Sequence, residues 1–140
     1  MEDDANSAGL RNGLTDWLLR NGVVQTPEVE AAMRAVPRHL FVPQASVKEA
    51  YEHRSVITRR DEAGVAISSA SEPGIVARML EQLDVHRGHR VLEIGAGTGY
   101  NAALLAYLAR TGRSPRSTST RTSSLTRAAT SPGRDTATSR

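Results

Sequence analysis

Residues 93 to 99, Glu-Ile-Gly-Ala-Gly-Thr-Gly, place a carboxylate two positions before the first of three alternating glycines. Glycine is needed where the backbone turns sharply and where a ligand must approach without meeting a Cβ. A turn that opens a helix also presents unpaired N–H groups, which favour a carboxylate or phosphate. A dinucleotide site would read G-x-G-x-x-G, with an acidic residue about 20 positions on for the ribose. Here the third glycine comes one residue early and a carboxylate precedes the first. The methionine end of S-adenosylmethionine offers an ammonium for Glu93 and a carboxylate for the turn's N–H groups. Glu93, Gly95, Gly97 and Gly99 are therefore expected to meet that cofactor. A nucleotide site, or a turn that only joins strand to helix, are the competing readings.

Periodicity gives the elements that must position this turn. Arg90 to Ile94 is a short β-branched and leucine-rich run bounded by glycines, which fits a buried parallel strand. The helix after it offers Leu104, Leu105 and Leu108 for packing on a sheet. Upstream, Leu10, Leu14, Trp17 and Leu18 repeat at helical spacing over residues 8 to 21, and Gly22 stops them. A second helix has Thr26 as cap, Pro27 in its first turn, Val29, Met33 and Val36 on one face, and Pro37 at its end. The proline-bracketed PRHLFVP, residues 37 to 43, is extended or turned and leads to a short helix around Ala45 to Tyr51. Residues 53 to 70 read as loop or short strand, with Val56 and Ile57 the strong strand formers. In SEPGIVARMLEQLDV, Ile75, Met79 and Leu83 form a helical stripe flanked by Val76 and Leu80. The expected class is α/β, with N-terminal helices followed by the start of a Rossmann-like sheet.

Composition narrows the possibilities further. The 140 residues have room for one domain with a modest core. There is no cysteine, which excludes disulfides and thiolate metal sites and suits a cytoplasmic setting. His39, His53, His86 and His89 show no ligand spacing, so they are expected at the surface and no metal is implied. The acidic MEDDANSAG start does not resemble a secretory signal, and the longest apolar run is too short to cross a membrane. Residues 1 to 109 hold 11 basic and 14 acidic side chains, whereas residues 110 to 140 hold seven arginines against Asp135 alone. With eight threonines, seven serines and one leucine, Leu125, that tail is expected to be disordered. A non-enzymatic reading would have the tail contact nucleic-acid phosphates, although it lacks aromatics for stacking. Arg59 and Arg60 could attract an acidic peptide, with a solvated pair as the preferred reading.

Several phrases in order carry a family resemblance over residues 10 to 109: AAMRAVPRHLFVP (31 to 43), Ala50 to Glu52, GIVARMLEQL (74 to 83), and VLEIGAGTGYNAALLAYLA (91 to 109). They resemble the protein-L-isoaspartate O-methyltransferase family. The resemblance implies methyl transfer from S-adenosylmethionine to an isoaspartyl or aspartyl carboxylate of a protein or peptide, in the service of protein repair. It also implies an active-site serine in a loop that the family writes G-Q-T-I-S-Q-P. This chain has GVAISSASEP, residues 64 to 73. Counted back from the proline the serine is Ser71, which is preferred; counted from Gly64 it is Ser68. A serine just before a helix can also be an N-cap and nothing more. Glu72 stands where the family often has glutamine, a charge that would repel a substrate carboxylate. The loop variant is also similar to relatives that methylate an aspartate in a ribosomal natural-product precursor peptide.

The implied organisation is a disordered start (1–9), a helical region with the active-site loop (10–88), the first strand, glycine turn and helix of the methyltransferase domain (89–109), and the tail (110–140). Oligomeric state stays open. A complete sheet needs later strands, one ending in an acid for the ribose hydroxyls, and none follows Arg110. One choice of GC-rich codons for Arg113 to Ser124, read from its third base, gives Val-Thr-Thr-Val-Asp-Ile-Asp-Glu-Asp-Leu-Val, an alternating strand ending in acids. The expectation is a truncated or frame-shifted chain of low or no activity. The coding DNA around codon 110 tests it, and a shifted frame without strand-like and helix-like continuation would refute it.

Overall fold

The computed structural model describes residues 2–110, so the tail expected to be disordered lies outside the described residues. Helix α1 spans Glu2–Arg20 and α2 spans Pro27–Ala35. A 3-10 turn at Arg38–Phe41 and the one-turn helix α3, Val47–Ala50, follow. Strands β1, Val56–Arg60, and β2, Ala66–Ala70, form a hairpin; α4, Pro73–Leu83, and α5, Tyr100–Leu108, complete the chain.

The expected disordered start is corrected, because α1 begins at Glu2 and takes in residues 2 to 9. Helix α2 sits at the centre and packs on α1, α4 and α5. Thr26 caps it by accepting from the Val29 N–H at 3.4 Å. Glu81 of α4 reaches the same end, its Oε1 accepting from Gln25 N at 2.8 Å and Thr26 N at 3.0 Å. The core gathers Leu14 and Leu18 of α1, Ala32 and Met33 of α2, Ala77 and Leu80 of α4, and Leu104 and Leu108 of α5. Trp17, expected on the α1 stripe, lies at its edge and stacks on His53 with ring centroids 3.9 Å apart.

Two further expectations are corrected. On α4 the buried residues are Pro73, Gly74, Val76, Ala77 and Leu80, while Ile75, Met79 and Leu83 are 53%, 44% and 55% exposed. The helix turns toward α2 the face with small Ala77 at its centre, which permits close approach. Arg90 to Ile94 is not a strand, and Leu92 and Ile94 are 84% and 91% exposed. A parallel strand exists only with neighbours to share its hydrogen bonds, and none lies beside it among the described residues.

The paired strands lie in the stretch read as loop or short strand, the first of them starting at Val56 and Ile57. β1 and β2 run antiparallel, Val56 opposite Ala70 and Ile57 opposite Ser69, with irregularities around Arg59. The Asp61 carboxylate accepts from Ala63 N at 3.0 Å and Val65 N at 2.8 Å, and Gly64 takes φ +80°. That side-chain turn closes the hairpin. Arg59 and Arg60 are exposed on it, and the Arg60 Nη1 donates to Gly64 O at 2.8 Å.

Leu18 and Met33 are 0% and 1% exposed. Truncating either to alanine is expected to cost about 2–5 kcal/mol in urea unfolding, from lost burial plus a residual cavity. At α3, Ser46 and Glu49 form a capping box in which Glu49 Oε2 accepts from Ser46 N at 2.9 Å and Ser46 Oγ at 2.8 Å. The Ser46 backbone N–H and then its hydroxyl hold the Glu49 carboxyl below its ordinary value. Ionised Glu49 therefore stabilises the fold above the ordinary carboxylate range, and the contribution disappears as pH falls through the lowered value. Melting curves against pH should show the native chain losing its advantage over Glu49→Gln only on acidification.

Candidate functional site

A cavity of about 220 Å³ opens between the end of β2 and the glycine turn. Ser69, Ala70 and Ser71 line one side, and Glu93, Gly95 and Gly97 the other. The structure thus brings four of the six sequence-derived site residues to one cavity. Gly95 and Gly97 take φ of +79° and +56°, with nothing packed where a Cβ would stand except the Gly95 carbonyl 4.0 Å from that of Gly97. Both are shaped for close approach of something else.

Gly99 and Ser68 stand apart. Gly99 is the N-cap residue of α5 at φ +85°, and a Cβ there would touch the Phe41 ring at 3.8 Å. Its role in the structure is to turn the chain beside Phe41. Ser68 lies within the hairpin, where its Oγ is 2.9 Å from the Thr58 hydroxyl. Ser71, by contrast, is exposed at the cavity and its hydroxyl makes no hydrogen bond to the described residues. It does not cap α4. Glu72 does, its Oε1 accepting from Gly74 N at 3.1 Å. The charge expected to repel a substrate carboxylate is thereby engaged by the helix N-terminus.

Three residues that sequence reasoning did not single out complete the walls. Arg38 is 1% exposed, yet has no ion pair with a carboxylate among the described residues. Its Nε donates to Ala50 O at 2.9 Å, its Nη2 donates to Ser71 O at 2.8 Å, and its guanidinium carbon stands 5.0 Å from the Tyr100 ring centre. Burial lowers its affinity for a proton, with Tyr100, Tyr51 and Glu72 acting against that. Tyr100 opens α5; burial pushes its hydroxyl up to about 12, and it donates to Met33 Sδ at 3.8 Å. Asn101 donates from Nδ2 to Glu93 Oε1 at 2.7 Å. The signal for Arg38 was present in PRHLFVP, an arginine inside an apolar, proline-bracketed phrase.

Four buried polar atoms lack a partner among the described residues, and three belong to this cavity: Arg38 Nη1, Glu93 Oε2 and Asn101 Oδ1. Buried polar groups are normally satisfied, so clustered exceptions point to a ligand's own polar groups. A donor on one residue and acceptors on two others suit a zwitterion, and the amino-acid end of S-adenosylmethionine fits them. Of the histidines, His39 Nδ1 lies 2.8 Å from the Tyr51 hydroxyl, and His86 and His89 stack edge-on at 5.4 Å. No group of three or more His, Cys, Asp or Glu that could hold a metal occurs among the described residues. Nor is any described helix long and apolar enough to cross a membrane.

A helical cap joined to a glycine turn and helix, with a polar cavity between them, defines an α/β protein of the Rossmann-like methyltransferase class. More narrowly, residues 10–129 match the protein-L-isoaspartate(D-aspartate) O-methyltransferase family, and the chain belongs to it. It is 42% identical over 110 residues to a protein-L-isoaspartate O-methyltransferase of Aeropyrum pernix, covering 79% of this chain and 39% of that protein. A relative of the same name from Methanospirillum hungatei is 41% identical over 95 residues, covering 68% and 41%. Among solved structures, a protein-L-isoaspartate O-methyltransferase superposes with a TM-score of 0.60 at 31% identity, over 71% of this chain and 30% of that one. A Plasmodium falciparum structure in complex with S-adenosyl-L-homocysteine shares the fold at a TM-score of 0.60 and 22% identity, over 71% and 42%. The chain spans about two fifths of the length of the curated relatives it matches.

Arg38→Met is expected to cost about 1–3 kcal/mol in urea unfolding, because the Ala50 and Ser71 carbonyls lose their donor. Arg38→Lys should recover part of it, since an ammonium cannot serve both carbonyls with the fixed fork of a guanidinium.

Proposed function

We propose that this chain supplies the cofactor turn and acceptor loop of an S-adenosylmethionine-dependent methyltransferase acting on isoaspartyl carboxylates of proteins or peptides. The observation that carries the reading is the single cavity lined by Ser71, Glu93, Gly95 and Gly97. S-adenosylmethionine, when bound, supplies an electrophilic methyl group whose bond to sulfur breaks as the carboxylate oxygen bonds to carbon. A carboxylate is already ionised at neutral pH, so the protein's task is to align it rather than to remove a proton. The free Ser71 hydroxyl is suited to donate to the acceptor carboxylate. Arg38 holds the Ser71 carbonyl and so fixes where that hydroxyl stands. Glu93 and the turn at Gly95 and Gly97 are suited to the cofactor's amino-acid end, with Gly99 shaping the turn from behind. Ser68 is engaged with Thr58, which supports Ser71 over it.

The division of labour follows the sequence: residues 10–88 bring the acceptor loop, and residues 89–109 bring the cofactor turn. A protein-repair role in the cytoplasm accords with the family and with the lack of cysteine. Transfer of labelled methyl from S-adenosylmethionine to an isoaspartyl hexapeptide, with its aspartyl isomer in parallel, tests the reading. Slow methylation of the isoaspartyl peptide is expected, falling at least about tenfold in Ser71→Ala and little in Ser68→Ala; a tenfold loss corresponds to about 1.4 kcal/mol of transition-state stabilisation. Exclusive methylation of the aspartyl peptide would favour a precursor-peptide substrate, and transfer to neither would refute methyltransferase activity in this chain.

A further inference from the structure

We infer that Asn101, together with Glu93, forms a clamp for the ammonium group of the cofactor's amino-acid end. The inference rests on the methyltransferase reading above and adds a binding residue to it. Asn101 is the second residue of α5 and lines the cavity beside Glu93. Its Nδ2 donates to Glu93 Oε1 at 2.7 Å, which consumes one carboxylate oxygen and fixes the amide so that Oδ1 is the remaining acceptor. Glu93 Oε2 and Asn101 Oδ1 are both buried and have no partner among the described residues. Two adjacent acceptors, one of them on a carboxylate, are thus held ready for a donor that the described residues do not supply.

The obvious internal donor does not fill the gap. Arg38 Nη1 lies on the same cavity, is itself unpartnered, and is bonded to neither acceptor. Its guanidinium is committed to Ala50 O, Ser71 O and the Tyr100 ring, and it forms no ion pair with Glu93. Complementary groups kept apart in one cavity are what a ligand bearing its own charges can satisfy. An ammonium has three N–H donors and a full positive charge, so it can bond to both acceptors while offsetting the Glu93 carboxylate. A neutral hydroxyl or amide donor could satisfy only part of this set. The inter-residue bond also pre-orders the clamp, because Asn101 and Glu93 restrain each other's rotamers before any ligand arrives.

The test titrates the full 140-residue chain with S-adenosylhomocysteine and with 4-(5′-adenosylthio)butanoate, which differs only in lacking the ammonium. Calorimetry, or NMR titration for millimolar affinities, gives the dissociation constants. Asn101→Leu is expected to weaken S-adenosylhomocysteine about tenfold and the deaminated ligand by less than about twofold, so that discrimination between them collapses. Asn101→Ala, a substitution that suits a helix, should give the same split if leucine disturbs the fold. Equal weakening of both ligands would overturn the clamp and leave Asn101 a structural role. So would unchanged affinity for S-adenosylhomocysteine in either folded variant. If the native chain binds the two ligands equally, the clamp is refuted while the cofactor reading stands. If it binds neither, the methyltransferase reading fails and the clamp with it.

Discussion

Three distant parts of the chain meet on the buried guanidinium of Arg38. Nε serves the end of α3 through Ala50, Nη2 serves the loop between β2 and α4 through Ser71, and the charge faces the ring of Tyr100 at the start of α5. Taking a guanidinium out of water without a carboxylate partner is costly. Only hydrogen bonds to carbonyls and contact with an aromatic face offset that cost, so these pieces are tied to one geometry. The cavity exists because of this tie, since one wall is the loop that Arg38 holds and the other is the turn that Tyr100 leads out of.

The rest of the molecule is divided between surfaces that are satisfied and surfaces that are not. Helix α2 is enclosed by α1, α4 and α5, with Ala32 and Met33 almost wholly buried. Elsewhere, Leu92 and Ile94 and the α4 stripe of Ile75, Met79 and Leu83 are exposed. The described residues hold a packed helical cap and, at Arg90 to Ile94, a segment with no strand beside it. The glycine turn keeps its shape without a ladder beside it, held by its glycines, the Asn101–Glu93 bond and the packing of Gly99 beside Phe41.

The sequence by itself determined the helices with strong apolar spacing, the caps at Thr26 and Glu93's place ahead of the glycine turn, because these depend on neighbours a few residues away. It also carried the family, through phrases whose order survives whatever packing they adopt. Tertiary structure alone decided which face of α4 is buried, since Ile75 and Val76 are equally apolar and only the position of α2 chooses between them. It decided that Val91 to Ile94 stays unpaired, because a parallel strand is made by its neighbours and not by its own propensity. It separated Ser71 from Ser68: one stands free at the cavity, while the other is spent on a cross-strand contact with Thr58. And it revealed Arg38 and Asn101, whose roles come from partners 12, 33 and 8 residues away, distances at which no local pattern signals a contact.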